Sequence, residues 1–446
     1  MQNPQSSSHH SPLITHNSVM TLIDLKQALE ADDRVAVNLW LLQHPGSLRE
    51  VASNPDCGAL RLLAAVRSEG MADLLLAQGL TVAQVGDWWA QGFGLAGLSP
   101  TVAEHFIRCG ATITPHAAAG LGLVERLRTM LDQHPELMHA KGGDGGRPLH
   151  FSRDVATARL LVERGANLDD RDDDHDSTAA QWRIGEAPEV TRYLIEQGAQ
   201  SDIFMAARLG DLELAHQLVS ENRCCTTYRI GNNSGPFPGI GARGGGGSIY
   251  QWTLGFNRSA QEIAHLRGHH EVFVFLMSQT PPHQQLLIAC MLADRELANS
   301  IAASSPGLVN GLGDEDRELL AKCCWETNLN REAVRLMLDL GFPIGVPESN
   351  HGFQALHNAA WCGDAELVEL LLQRGHPVDR RDPRYQSTAL GYAIHSCVTA
   401  RRHPEGDFPS VVRLLLEAGT PLDASHFPSG DEGIDAVIKS HGIRQV

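Results

Sequence analysis

The sequence predicts an all-α protein, a solenoid of about 12 stacked helix–turn–helix units with two loop insertions. Three observations carry that class. One pattern recurs from end to end: a short apolar helix, a tight turn, a longer Leu-rich helix, then Gly and a loop. The glycines that close the clearest long helices are Gly79, Gly110, Gly165, Gly198, Gly341, Gly375 and Gly419, with neighbouring spacings of 31, 33 and 34. A helix pair of about 33 residues cannot bury its apolar stripe alone, so each unit has to stack on the next. Length alone suggests about three globular domains; the repeat replaces them with one array.

Taken in order, residues 1–20 are polar and carry no basic region, apolar stretch and cleavage site in succession, so they read as a flexible tail. Residues 21–225 hold the N-terminal repeats, with long helices expected at Ala72–Gly79, Val102–Gly110, Val155–Gly165 and Val190–Gly198. A glycine just past each fits the left-handed position that ends a helix. Residues 226–258, TTYRIGNNSGPFPGIGARGGGGSIYQWTLGFNR, break the period. Gly and Pro dominate the first half of this insertion, and Tyr250, Trp252 and Phe256 crowd the second. It reads either as a spacer or as an ordered loop folding over a groove, and the aromatics favour the loop. Residues 259–423 resume the repeats, with long helices at Ala333–Gly341, Leu367–Gly375 and Val411–Gly419. A second insertion, Val398 to Pro409, brings Arg401, Arg402, His403 and Glu405 to the edge of the array. Residues 424–446 form the cap.

The fullest unit, Gly352 to Asp379, reads GFQALHNAAWCGDAELVELLLQRGHPVD. It resembles the ankyrin repeat, whose pattern runs Thr-Pro-Leu-His-x-Ala-Ala, then Gly, then Val-x-x-Leu-Leu-x-x-Gly-Ala. Arg147–Asp169 matches with a deletion, Ser387–Asp423 with an insertion, and Phe204–Val219 over its helical part. The resemblance implies a protein-recognition scaffold with a concave groove and finger loops. It also implies that His357 ties loop backbone together rather than serving chemistry.

In the ankyrin register, the residues flanking the inward Ala-Ala pair point into the groove. Carried over, these are Met205 and Arg208, Ile288 and Met291, Lys322 and Trp325, Asn358 and Trp361, and Tyr392 and His395. The last three pairs belong to adjacent units and are expected to form an aromatic ladder, the kind of surface that concentrates binding energy. The expected function is therefore recognition of a protein or peptide partner. An alternative is an enzyme or small-molecule binder with a pocket in the C-terminal repeats, lidded by the glycine-rich insertion. Its candidate groups are Tyr250, Trp252, Asn257, Arg258, Cys362, His395 and His403. Self-association of terminal repeats is a third reading.

Other chemistries find less support. With 36 basic against 53 acidic residues the chain carries −17, a poor match for nucleic acid or anionic lipid. No apolar run reaches the roughly 18 residues of a membrane helix. Gly239 to Gly244 spells G-x-G-x-x-G, yet more glycines follow it where a dinucleotide site needs a helix. The run Asp169 to Asp176 is acidic, but in a calcium loop counted from Asp170 the positions that need Gly and Glu hold His175 and Gln181, so a solvated acidic finger is expected. His351, His357, Cys362, His395, Cys397 and His403 gather loosely without metal-site spacing, so no metal and no cofactor are expected. There is no G-x-S-x-G, and Cys362 falls at the far end of its short helix, the wrong pole for an activated thiolate. Any catalytic group stays unassigned. Nine cysteines with two vicinal pairs point to a reduced, cytoplasmic setting.

Overall fold

The structure is a computed structural model that describes residues 25–44, 65–82, 94–230, 248–326, 329–349, 352–400, 403–423 and 426–442. The N-terminal tail, the G-x-G-x-x-G segment, His351, Arg401 and Arg402 lie outside the described residues. Among the described residues every element is helical, apart from the isolated antiparallel bridges Arg171–Thr178 and Arg229–Ser259. No helix there is long and apolar enough to cross a membrane.

The chain divides into two compact units. The first comprises the described residues up to Met205 together with 248–254, and the second comprises 206–230 and the described residues from Gly255 onward. In the first unit, Pro148–Phe151 packs between Pro115–Gly120 and Ala179–Arg183, while Val155–Glu163 packs on Pro188–Glu196. In the second, Ala355–Trp361 packs on Leu319–Lys322 and on Ala389–His395, while Ala365–Gln373 packs on Phe408–Glu417. Short helices thus stack on short helices and long on long. Glu432–Ser440 closes the row against Phe408–Glu417.

Local sequence explains why each pair forms. In six pairs an Asp or Asn sits at the turn into the long helix, and its side chain accepts the backbone N–H of the third residue on. Asp154, Asp211, Asp294, Asn330, Asp364 and Asp407 all do so, at 2.8–3.1 Å. Each such cap contributes about 1 kcal/mol. The caps also start the helices up to three residues before the apolar period does, as at Ala365 rather than Leu367. At the other end the seven closing glycines all adopt positive φ, between 82° and 103°. Past Gly375 the His376 N–H returns to the Leu371 carbonyl at 3.0 Å, which satisfies an otherwise orphaned helix end.

Between the helices lies one continuous apolar core in the second unit, including Leu356, Ala359, Leu367, Leu371, Leu390 and Val411. Burying a leucine there stabilises by roughly 1.5–3 kcal/mol. Histidines clamp the stack at its loops. The His357 Nδ1 accepts the Gln354 N–H at 3.2 Å, and its Nε2–H donates to the Arg380 carbonyl of the following loop at 3.2 Å. His150 repeats this with the Arg147 N–H at 3.0 Å and the Ser177 carbonyl at 3.2 Å. Both rings are buried and hydrogen-bonded in the neutral form, and burial lowers both pKa values.

The second insertion continues the helix Ala389–His395 as a π-helical turn, Ser396–Ala400. It is then pinned where Asp407 N–H donates to the Gly363 carbonyl at 2.9 Å. Gly363 has φ 66°, and a Cβ there would lie 2.7 Å from the Gly406 Cα. Glycine is needed at that crossing on both counts.

Candidate functional site

The short helices of the second unit place one residue each at the same level. Trp361 ends Ala355–Trp361, His395 ends Ala389–His395, and Trp325 follows Leu319–Lys322. Stacking of the helices therefore stacks the rings. Trp325 and Trp361 lie 6.2 Å apart with planes 20° from parallel, and Trp361 and His395 lie 5.9 Å apart at 29°. Tyr392, one turn before His395, stands at 65° to Trp361 and at 69° to Phe353. Phe353 and Tyr385 come from the loops and lie 6.4 Å apart at 19°. These six rings, with Ser387, Ile394, Val398, His426 and Ser429 among others, line a cleft of about 580 Å³.

The polar groups around it are organised. Burial and the neighbouring Asp382 raise the pKa of the Tyr392 phenol, so it stays protonated. Asp382 is itself fully buried and accepts the N–H groups of Arg384, Tyr385 and Ser387 at 2.9, 2.6 and 3.0 Å. Burial lowers the pKa of His426, whose Nδ1 accepts the Asp423 N–H at 3.2 Å. The indole N–H of Trp361 is buried and meets no acceptor among the described residues.

Several residues expected at the groove stand elsewhere. Met205, Ile288 and Met291 are buried in the core, because neighbouring helices cover the positions that the register assigns to the groove. Asn358 is also buried; its amide donates to the Ala321 carbonyl at 3.0 Å and to Glu348 at 2.7 Å, and burial raises the Glu348 pKa. Lys322 pairs with Glu318 at 3.1 Å. The Cys362 thiol faces the Cys324 carbonyl at 3.7 Å, and burial pushes its pKa up to about 12, the opposite of what a nucleophile needs. His403 meets Glu326 at 2.9 Å.

The insertion residues correct a second expectation. Tyr250 is a core residue of the first unit, with no exposed surface. Its hydroxyl donates to Asp202 at 2.7 Å and its ring packs edge-on against Phe204 at 5.6 Å. Trp252 is 69% exposed. Asn257 adopts φ 57°, and its carbonyl accepts from Arg229 at 2.8 Å. Arg258 and Arg229 flank the fully buried Glu262 at 3.3 and 3.0 Å. None of these four insertion residues lines the cleft.

Phe353, Tyr385, His426 and Ser429 were not legible as cleft residues. The only available signal was aromatic residues at the loop positions just before the motif. The acidic run also departs from a solvated finger. Asp172 is buried and accepts the N–H groups of His175 and Ser177, each at 2.7 Å. Oxygen and nitrogen atoms of Asp144, Asp174 and His175 gather within 4.8 Å of one another.

The ankyrin repeat family model matches residues 351–383, the span that carries Phe353, Trp361 and the loop leading to Tyr385. No curated protein matches the chain.

Proposed function

We propose, on the premise that the chain is an ankyrin-repeat protein, that its second unit is a scaffold that takes a protein or peptide partner into the aromatic cleft. Ankyrin repeats typically mediate protein interactions, and fold alone never names the partner. The observation that carries the reading is the gathering of Trp325, Phe353, Trp361, Tyr385, Tyr392 and His395 around one open cleft. Such rings supply rigid apolar area with polar handles at low entropic cost, and residues of this type dominate binding energy where they cluster. In this reading Trp325, Trp361, Tyr392 and His395 touch the partner. Asn358 and Cys362 hold the helix that presents them.

The test is partner capture with the wild type and Trp361→Leu side by side, followed by affinity measurement on the purified pair. Loss of about 2 kcal/mol or more on that substitution is expected of a central contact. A partner that binds both proteins equally well rules out the cleft as its seat.

One observation favours a second reading, a small organic ligand: about 580 Å³ is within the size range of small-molecule pockets. Native mass spectrometry of untagged protein separates the two. An adduct present in the wild type and absent from Trp361→Leu supports the small ligand, whereas a bare mass returns the weight to a partner chain.

A further inference from the structure

We infer that the group this cleft takes from its peptide partner is a cationic side chain, lysine or arginine. The inference rests on the peptide-recognition reading above and names the anchor. Three observations favour a cation. First, among the described residues no lysine or arginine contributes to the lining, while carboxylates stand behind two of the lining serines, Ser387 and Ser429. Asp382 stands beside the Tyr392 hydroxyl and holds the Ser387 N–H at 3.0 Å. Asp435 accepts both the N–H and the hydroxyl of Ser429, at 2.7 and 2.6 Å. An acidic anchor would enter against both of these charges.

Second, the rings do not all lie in one plane. Tyr392 stands at 65° to Trp361, 69° to Phe353 and 68° to Tyr385, so the rings around the cleft differ in orientation. An aromatic face attracts a cation through its quadrupole. Third, the chain already uses one of these faces in this way. The Arg384 guanidinium lies over the Tyr385 ring, 5.2 Å from its centroid, at the exposed rim. That guanidinium sits outside the lining. The net charge of −17 adds long-range attraction for a basic segment.

The full-length protein is panned against a random peptide library displayed on phage, at raised salt to screen general attraction to an acidic chain. Selected peptides are then synthesised, with the anchor residue as lysine and as norleucine, which keeps the stem and drops the charge. The expected result is enrichment of sequences with lysine or arginine at one fixed position. Norleucine then weakens binding by about tenfold. In Trp361→Leu, and in Trp325→Leu at the cleft's edge, the lysine–norleucine difference shrinks while circular dichroism stays unchanged.

Two results overturn the inference, and they differ. If the enriched peptides are neutral or acidic and Trp361→Leu still abolishes their binding, the cationic anchor is wrong and peptide recognition stands. If nothing is enriched over the variant that carries both leucines, the peptide reading falls with it.

Discussion

Trp325 and Trp361 come from consecutive helix pairs, yet their rings stack at 6.2 Å with planes 20° from parallel. Neither touches the other through sequence proximity; the stacking of Leu319–Lys322 on Ala355–Trp361 brings them together. The rings therefore report on how the units are joined as well as on what the cleft offers. A double-mutant cycle with Trp325→Leu and Trp361→Leu, read by urea unfolding, is expected to give a coupling of about 1 kcal/mol. A coupling of zero means that the two rings act independently.

Acid should loosen the protein through its buried histidines. Burial lowers the pKa of His150 and of His376 from 6.5 to about 4. The folded pKa is thus below the unfolded one, so on acidification the unfolded chain takes up protons first. Stability is complete above the unfolded value, drains as pH falls from 6.5 toward 4, and is lost below that. Each ring accounts for about 3 kcal/mol at most. Urea midpoints measured across this window should fall with pH, and His150→Asn should flatten the slope while lowering stability at neutral pH. An unchanged slope in the variant excludes His150 as a source.

Tyr250 anchors the end of the glycine-rich insertion to the first unit by its bond to Asp202. Burial raises the Asp202 pKa, and the carboxylate also accepts the N–H groups of Phe204 and Met205. Tyr250→Phe keeps the ring and deletes one donor to a partly buried acid. A loss of about 1–3 kcal/mol is expected in thermal or urea unfolding. Wild-type stability in the variant shows that the hydroxyl bond is dispensable.

The cysteines should sort by burial under alkylation. Burial holds Cys290, Cys323 and Cys362 up near about 12, whereas Cys109 and Cys224 are exposed. Iodoacetamide at mildly alkaline pH, with peptide mapping, is expected to modify Cys109 and Cys224 in the native protein and spare the other three until denaturant is added. Rapid native modification of Cys362 contradicts its placement in the core.

What the sequence reveals depends on how local the cause is. The closing glycines were legible because a left-handed residue after a helix is a demand of the backbone itself, and Gly341 and Gly375 meet it within their own units. The role of His357 was legible for a similar reason, since its first partner, the Gln354 N–H, is three residues away. Whether a short-helix side chain faces a groove or a neighbour is set by the next unit, so Ile288 and Asn358 were assigned to the wrong side. Tyr250 was harder still. Its burial depends on Asp202 and Phe204, more than 40 residues earlier in the chain, and nothing in SIYQW announces either. Glu262 was not legible as a buried residue, because one of the two charges beside it arrives from Arg229, at the other end of the insertion.

The clamping imidazoles carry a further consequence. His150 and His357 each grip the following loop by a main-chain carbonyl, Ser177 in one case and Arg380 in the other, and never by a side chain. The joint is blind to which amino acid supplies that oxygen. At this joint the neighbouring loop can change its side chains and keep the hydrogen bond. The loops can then diversify at their tips, where Tyr385 projects 60% exposed, while the imidazole keeps its grip on the backbone.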